Sequence, residues 1–212
     1  MNWSEFIKNK KLFIEFILSA ILLVFVLDFM SNFLEFVEHR QGVVLLDPLL
    51  KTFQPVNLTW LIFALIYLSL IITMAFIVKH PQKLLFAIQA YSFMLVFRII
   101  AMFLLPLNPP ARMILLNDPF IQFFGSGRIL TKDLFFSGHT ATLFFFFLIA
   151  DNKPFKYMLL AFTIIVAAAL LLQHVHYSVD VFAAPFFSYS AYRLIKIKNN
   201  RQKFYKTFSK IE

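Results

Sequence analysis

The chain has 212 residues, of which 60% are hydrophobic and 15% are charged, and its formal net charge is +9. A soluble domain has about 25% charged residues, so this composition excludes an ordinary soluble globular protein. Many of the lysines and arginines flank apolar runs, where they indicate membrane orientation, so we expect no nucleic-acid partner. The sequence has no cysteine, which excludes disulfides, thiolate metal sites and a cysteine nucleophile.

Six apolar segments occur along the chain at lengths close to that of a membrane helix. They run approximately from Leu12 to Phe33, Leu58 to Val78, Leu84 to Leu107, Leu134 to Ala150, Tyr157 to Gln173, and Val181 to Ile195. The second would rise roughly 31 Å as a helix, which matches the hydrocarbon thickness of a bilayer, whereas the last three are short and could be tilted or extended. The sequence therefore predicts an all-α, polytopic membrane protein, a bundle of about six transmembrane helices.

Residues 1–212 are predicted to form a single membrane domain without an internal repeat, ending in a basic inner tail at residues 197–212. The polar start and the long apolar run after it do not fit a cleaved signal peptide, so the first helix is expected to stay as an anchor. With the amino terminus inside, the inner segments hold 14 lysines and arginines and the outer segments hold five. The positive-inside rule thus predicts that both termini are cytoplasmic, and that the long loops 35–57 and 108–133 lie outside with the functional site.

Five ionisable residues are predicted to meet at the outer ends of the apolar segments. Arg98 lies in the third segment, Asp133 and His139 open the fourth, and His176 and Asp180 lie between the fifth and the sixth. Ionisable groups in or next to membrane helices are costly, so they are candidates for function. Because antiparallel connections bring these ends to one face of the bundle, the sequence predicts a catalytic site there.

His176 and Asp180 have the spacing i, i+4, which places them on one helical face if the sixth helix begins near Tyr177. The carboxylate would then orient the imidazole and make its other nitrogen more nucleophilic. His174 would point elsewhere, and its i+4 neighbour Ser178 cannot stabilise a cation as a carboxylate can. His176 is therefore the predicted nucleophile, with Asp180 as its partner.

His139 could supply a second imidazole, as general acid for a leaving group. Other residues near the start of the fourth helix have the chemistry that binds phosphate, namely a hydroxyl, exposed amide donors and nearby cations. The phosphate-binding candidates are Arg98, Ser137 and Gly138, supported by Arg128, Lys132 and Asp133.

Three motifs carry a resemblance to a known family. Asp133-Leu-Phe-Phe-Ser-Gly-His-Thr140 and His176-Tyr-Ser-Val-Asp180-Val resemble the two signature motifs of sphingomyelin synthases. The segment from Arg98 to Pro109 resembles the motif that precedes them, so the resemblance covers residues 98–193. These synthases belong to the type 2 phosphatidic acid phosphatase, or lipid phosphate phosphatase, superfamily.

The resemblance implies that His176 becomes phosphorylated, that Asp180 assists it, and that His139 acts first as an acid and then as a base. It implies a phospholipid donor and a lipid alcohol acceptor, ceramide or diacylglycerol, or water in a phosphatase. The implied mechanism requires no metal or other cofactor. The wider phosphatases carry a Ser-Arg pair shortly before the nucleophile, where this chain has Ala169 and Leu170 and so departs from them as the synthases do.

Two other classes of protein stay open. A metal hydrolase would use His139, His174, His176 and Asp180 as ligands, because histidines together with a carboxylate can bind zinc. A transporter or a structural membrane protein would use the same polar residues to line a pathway or to join helices. Full activity in chelator would exclude the first class, and uptake without ester turnover would support the second.

Overall fold

The computed structural model describes residues 1–117 and 130–208, with side chains up to residue 200. Within these ranges the chain forms seven α-helices, one 3₁₀ turn at Leu50–Thr52 and no strand. The helices are α1 (Trp3–Lys8), α2 (Lys10–His39), α3 (Thr59–Ile77), α4 (Pro81–Leu104), α5 (Gly138–Ile149), α6 (Lys153–Leu172) and α7 (Ser178–Phe208). The predicted all-α polytopic bundle is confirmed.

Four of these helices, α2, α3, α4 and α6, are long and apolar enough to cross a membrane. The surface of α2 shows what must surround them, because Val24 and Phe25 are 67% and 64% exposed in the folded chain. Large apolar side chains exposed along a whole helix are expected against hydrocarbon and not against water. The chain is therefore an integral membrane protein.

Each of the six predicted segments contains a helix, but the predicted bounds of the fourth are wrong. Helix α5 has 12 residues, a rise of about 18 Å that is too short to span a bilayer, and residues 134–137 lead into it without being helical. The helix starts at Gly138 because Ser137 caps it, its Oγ accepting the Thr140 N–H at 3.4 Å. The last two predicted segments form helices that are longer than predicted, with 20 residues in α6 and 31 in α7.

Side-chain contacts bring three parts of the chain to one end of the bundle. The indole of Trp3 donates to the Val78 carbonyl at 2.7 Å, and Lys83 forms an ion pair with Asp151. These contacts gather the amino terminus, the α3–α4 connection and the α5–α6 connection. The opposite end, which we call the loop end, consists of residues 40–58, 105–117, 130–137 and 173–177.

Two of the connections at the loop end pack directly on each other. The Val43 N–H donates to the Pro106 carbonyl at 2.9 Å, and the Asn108 N–H donates to the Val43 carbonyl at 3.0 Å. Gly42 lies so close to Leu107 that a Cβ would come within 2.5 Å of the Leu107 carbonyl carbon, so a larger residue would push the loops apart. The first long loop thus contacts residues 106–108, at the start of the second, on one side of the bundle.

Candidate active site

The start of α5 and the first turn of α7 meet at the loop end. The Ser137 N–H donates to the Asp180 carbonyl at 3.0 Å, and Phe136 stacks on Phe187 of α7 with ring centroids 4.4 Å apart. Arg98 of α4 reaches the same place, since its Nε donates to the Phe136 carbonyl at 3.0 Å. The predicted convergence of distant helix ends is thus present in the fold.

His176 and Asp180 form a buried pair, with exposed fractions of 1% and 0%. His176 Nδ1 lies 3.4 Å from Asp180 Oδ2, and the same oxygen accepts the Tyr177 N–H at 3.0 Å. Helix α7 begins at Ser178, close to the predicted start at Tyr177, and the predicted contact between the imidazole and the carboxylate is present although His176 itself precedes the helix. The pair forms because the Asp180 carboxylate, in the first turn of α7, contacts the two residues that immediately precede the helix. With Nδ1 directed at this carboxylate, Nε2 is the nitrogen that can act on a substrate.

The turn that carries His176 is anchored on both sides. The buried Gln173 accepts the Leu58 N–H at 2.9 Å, which ties the turn to the start of α3. The Tyr177 hydroxyl donates to the Asn108 carbonyl at 2.8 Å, which ties the turn to the 105–117 loop. The imidazole therefore sits on a preorganised turn, and little ordering remains to be done when a substrate binds.

The guanidinium of Arg98 lies over the first residue of α5. Arg98 is buried and forms an ion pair with Asp133 through Nη2. A Cβ on Gly138 would come within 2.7 Å of Arg98 Nη1 and 2.6 Å of Cζ, so only glycine allows this approach. Among the described residues the Gly138 N–H has no acceptor. Together with Nη1 it can donate to an anion at the positive end of the helix.

Asp133 lies beside this anion-binding group as the partner of Arg98. Burial by itself would raise the pKa of the Asp133 carboxyl, but the charge and the hydrogen bond of Arg98 hold it below its usual value. Positive charge on His176 or His139 would lower the same pKa further. The carboxylate is thus ionised, fixes the guanidinium, and lies within electrostatic reach of both histidines.

His139 is the second residue of α5 and is half-buried. Its ring meets Phe63 of α3 edge to face, with centroids 6.0 Å apart. The site therefore combines two imidazoles, a carboxylate partner for one of them, and a guanidinium at a helix N-terminus. Such a set can support attack on phosphorus by one imidazole and proton transfer by the other.

Lys132, a predicted support for phosphate binding, does not join this group. Its Nζ donates to the Arg40 carbonyl at 2.6 Å, because the carboxyl end of α2 offers unpaired carbonyls and a negative dipole end to the ammonium. Arg128, the other predicted basic support, lies outside the described residues. The described phosphate-binding candidates that come together are Arg98, Asp133, Ser137 and Gly138.

The residues predicted as ligands of the alternative metal hydrolase do not form one cluster in the described part of the chain. His174 lies edge to face against Phe53, with ring centroids 5.3 Å apart, and takes a left-handed conformation with φ of 55°. In the part of the chain that the structure describes, no three His, Cys, Asp or Glu side chains are placed to hold a metal ion.

Asp47 is a residue of the site that sequence reasoning missed. Its Oδ2 accepts the Ser178 N–H at 2.6 Å and the Ser178 hydroxyl at 2.5 Å, while Oδ1 accepts the N–H groups of Leu49 and Leu50 at 3.0 and 3.4 Å. Burial would raise the pKa of this carboxyl, but the four hydrogen bonds lower it below its usual value. Asp47 thereby caps the helix that carries Asp180. The only signal for it in the sequence is an Asp-Pro pair in an apolar loop.

We expect Asp47→Asn to lower both stability and lipid turnover, since an amide offers one oxygen where the carboxylate uses two. Losing part of these charge-assisted hydrogen bonds should cost about 2 kcal/mol, and displacement of the turn should reduce turnover about tenfold. Thermal unfolding in detergent and a lipid turnover assay measure the two effects. Asp28→Asn, at an exposed position of α2, is the matched control, and equal behaviour of the two variants would contradict the assigned cap.

The part of the chain that carries most of this site is similar to a known protein family. Residues 132–197 match the family model for the PAP2 superfamily C-terminal domain. The matched segment begins next to Asp133 and contains Ser137, Gly138, both site histidines and Asp180, whereas Arg98 and Asp47 precede it. A comparison with curated proteins finds no match to the chain.

The PAP2 match supports the broader part of the predicted resemblance, the type 2 phosphatidic acid phosphatase superfamily, and does not confirm the narrower sphingomyelin synthase part. It also supports an enzyme of the lipid phosphatase or phosphotransferase type with lipid phosphates as partners. Two residues that precede the matched segment contact residues within it: Arg98 contacts Asp133, and Asp47 contacts Ser178.

Proposed function

We propose that this protein is a membrane lipid phosphotransferase, resembling sphingomyelin or ceramide phosphoethanolamine synthase, that acts through a phosphohistidine at His176. The observation that carries the proposal is the buried His176–Asp180 pair beside the start of α5. The Ser137 N–H donates to the Asp180 carbonyl, and the Arg98 guanidinium lies over Gly138, the first residue of α5. This arrangement offers a nucleophile and an anion site together.

In the first step, His176 Nε2 attacks the phosphorus of a phospholipid. The new N–P bond forms as the bond from phosphorus to the diacylglycerol oxygen breaks, and His139 donates a proton to that oxygen. Asp180 stabilises the charge that develops on the imidazole, and the guanidinium of Arg98 with the Gly138 N–H stabilises the charge on the phosphoryl oxygens. The head group with its phosphate stays on His176.

In the second step, the hydroxyl of a lipid alcohol such as ceramide attacks the same phosphorus. His139, now neutral, takes the proton of this hydroxyl as the new P–O bond forms and the bond to Nε2 breaks. With water as the acceptor the same residues would make a lipid phosphate phosphatase, which is the alternative function. The cycle returns both histidines to their starting protonation states.

The charge of the site favours a diester substrate over a monoester. A phosphodiester carries one negative charge, whereas a monoester carries up to two and calls for more cations. In the described residues Arg98 is the cation beside Gly138, while Lys132 binds the end of α2. Ala169 and Leu170, where the phosphatases have a Ser-Arg pair, are buried apolar residues of the core and add no charge. These features support transfer of a head group.

The site is proposed to face the outer side of the membrane, exoplasmic or periplasmic, with both termini in the cytoplasm. The support is the distribution in the sequence of 14 lysines and arginines on the predicted inner segments against five on the predicted outer segments. A protease site placed in the loop at residues 54–57 should be cut from outside intact cells or vesicles, and one placed after residue 198 should not.

Turnover of fluorescent ceramide or diacylglycerol by the purified protein, supplied with several phospholipids in the presence of chelator, tests the proposed reaction. Chromatography of the products separates transfer from hydrolysis. We expect a sphingolipid that carries the donor's phosphorylated head group. Release of free lipid alcohol and phosphate would establish the phosphatase alternative, and activity that chelator abolishes and metal restores would contradict the metal-free mechanism.

Gly138→Ala should disable the anion site without touching either histidine. The added Cβ would lie 2.6 Å from Arg98 Cζ, and the guanidinium, held by Asp133 and the Phe136 carbonyl, must leave the helix start. We expect turnover to fall about 100-fold, as for loss of one oxyanion donor. Ala141→Gly, one turn into the same helix, is the control for helix propensity. Turnover within about twofold of wild type in Gly138→Ala would contradict the role of this contact.

A further inference from the structure

A second compartment opens at the loop end beside the turn that carries the nucleophile. It is a cavity of about 480 Å³ between residues 44–51, residues 110–112 and the turn. His174 and Tyr177 line it, whereas His176, which lies between them in the sequence, does not. Its volume falls in the range of small-molecule sites, so it has room for a polar head group.

The polar lining of this cavity has an excess of positive charge. Lys51 and Arg112 contribute two cations, and Asp47 contributes one carboxylate that already accepts four hydrogen bonds. Among the described residues Lys51 makes no ion pair, and Arg112 has a single hydrogen bond, from Nη1 to Gln54 at 2.9 Å. Both cations are exposed at the loop end and can bind an anion.

His174 adds a buried polar atom to the same wall. The residue is 2% exposed, and its Nε2 has no hydrogen-bond partner in the described part of the chain. Burial lowers the pKa of His174 and the charge of Arg112 lowers it further, against the opposing effect of Asp47, so the imidazole is neutral. A buried nitrogen without a partner is destabilising until a ligand or a water bonds it.

The remaining wall is apolar and continues onto the protein surface. Leu45 and Leu50 line the cavity, and the neighbouring Val44 and Leu46 are 53% and 84% exposed. Exposed aliphatic side chains next to two cations, at the end of a membrane bundle, fit the boundary between lipid head groups and acyl chains. The cavity thus offers cations for a phosphate and an apolar surface for the chains attached to it.

We propose that this cavity binds the head group of an anionic phospholipid, with Lys51 and Arg112 at the phosphate and the acyl chains over Val44 and Leu46. The site is separate from the anion site at Arg98 and does not depend on the proposed phosphotransfer. A choline or ethanolamine head group would place its own cation beside Lys51 and Arg112, so zwitterionic lipids should bind less well.

Binding of phosphatidylglycerol to the full-length His176→Ala protein, followed by native mass spectrometry and by the shift in thermal unfolding, tests this proposal. The His176→Ala background removes the nucleophile, so binding is measured apart from turnover and a failure of the proposed reaction would not affect the result. Phosphatidylcholine and inorganic phosphate are the comparison ligands. We expect phosphatidylglycerol to bind about tenfold more tightly than phosphatidylcholine, as two surface cations should provide, and inorganic phosphate to give no shift.

Lys51→Gln combined with Arg112→Gln should remove this preference, whereas Lys79→Gln combined with Arg193→Gln, which removes the same charge elsewhere, should keep it. All four side chains are exposed, so both double variants should fold, and far-UV circular dichroism checks this. Equal affinity for the two lipids, an unchanged preference in Lys51→Gln/Arg112→Gln, or a shift by inorganic phosphate as large as that by phosphatidylglycerol would each overturn the proposal.

Discussion

His176→Ala should reduce lipid turnover by about 10⁴-fold or more, because it removes the nucleophile and leaves only binding and electrostatic stabilisation. The side chain is 1% exposed and contacts Asp180, so the variant also leaves a buried carboxylate without its imidazole. Initial rates with the best phospholipid donor, measured at saturating acceptor, give the loss. We expect the loss of activity to appear in kcat, since the bond between Nε2 and phosphorus forms during the chemical step and not when the substrate binds.

The matched control for this variant is His39→Ala, since His39 is an exposed histidine at the end of α2 that bonds only the Glu35 carbonyl among the described residues. It should retain wild-type turnover within about twofold. The thermal unfolding midpoint of His176→Ala identifies any general loss of fold. Substantial turnover by a folded His176→Ala protein would rule out the assigned nucleophile.

His139→Ala should show a loss that depends on the leaving group. A lipid alkoxide is a poor leaving group that needs a proton, so turnover of the natural donor should fall by about 10³-fold, within the range for general acid catalysis. An aryl phosphodiester with an acidic phenol leaves without protonation, so its first step should slow by less than about tenfold. Burst kinetics of phenol release measure that first step directly.

The comparison of His139→Ala with His176→Ala separates the two roles. His176→Ala should be inactive with both kinds of ester, whereas His139→Ala should keep the burst with the aryl ester and lose later turnover, because the acceptor hydroxyl still requires a base. Equal losses with the lipid ester and the aryl ester in His139→Ala would contradict its role as the general acid.

The sequence could predict the residues that converge because antiparallel membrane helices leave few arrangements. Once the apolar segments are marked, Arg98, His139 and His176 must lie at one end, and this holds in the fold. Their immediate environment depends on contacts that periodicity does not report. The Ser137 N–H reaches the Asp180 carbonyl, and this contact, together with the Ser137 cap, sets the start of α5 at Gly138. The apolar residues 134–136 look helical in sequence but form a loop, in which Leu134 and Phe136 are buried and Phe135 is partly buried.

The partners of the charged residues were less predictable than their positions. Lys132 and Asp133 are neighbours, and the sequence predicts that both support phosphate binding, but Lys132 donates to the Arg40 carbonyl and Asp133 pairs with Arg98. Asp47 contacts Ser178 across 131 positions, a contact that no local pattern signals. Such pairings follow from how the loops pack, which local sequence patterns do not reveal.

The phosphohistidine is tested most directly by transfer of labelled phosphate from a phospholipid donor to the purified protein. The reaction is quenched in alkali, in which phosphohistidine is stable, and the label is located by peptide mass spectrometry. We expect label on His176 in the wild-type protein when the acceptor is withheld, its discharge when ceramide is added, and no label in His176→Ala. Steady turnover with no protein-bound phosphate, or label on another residue, would contradict the mechanism.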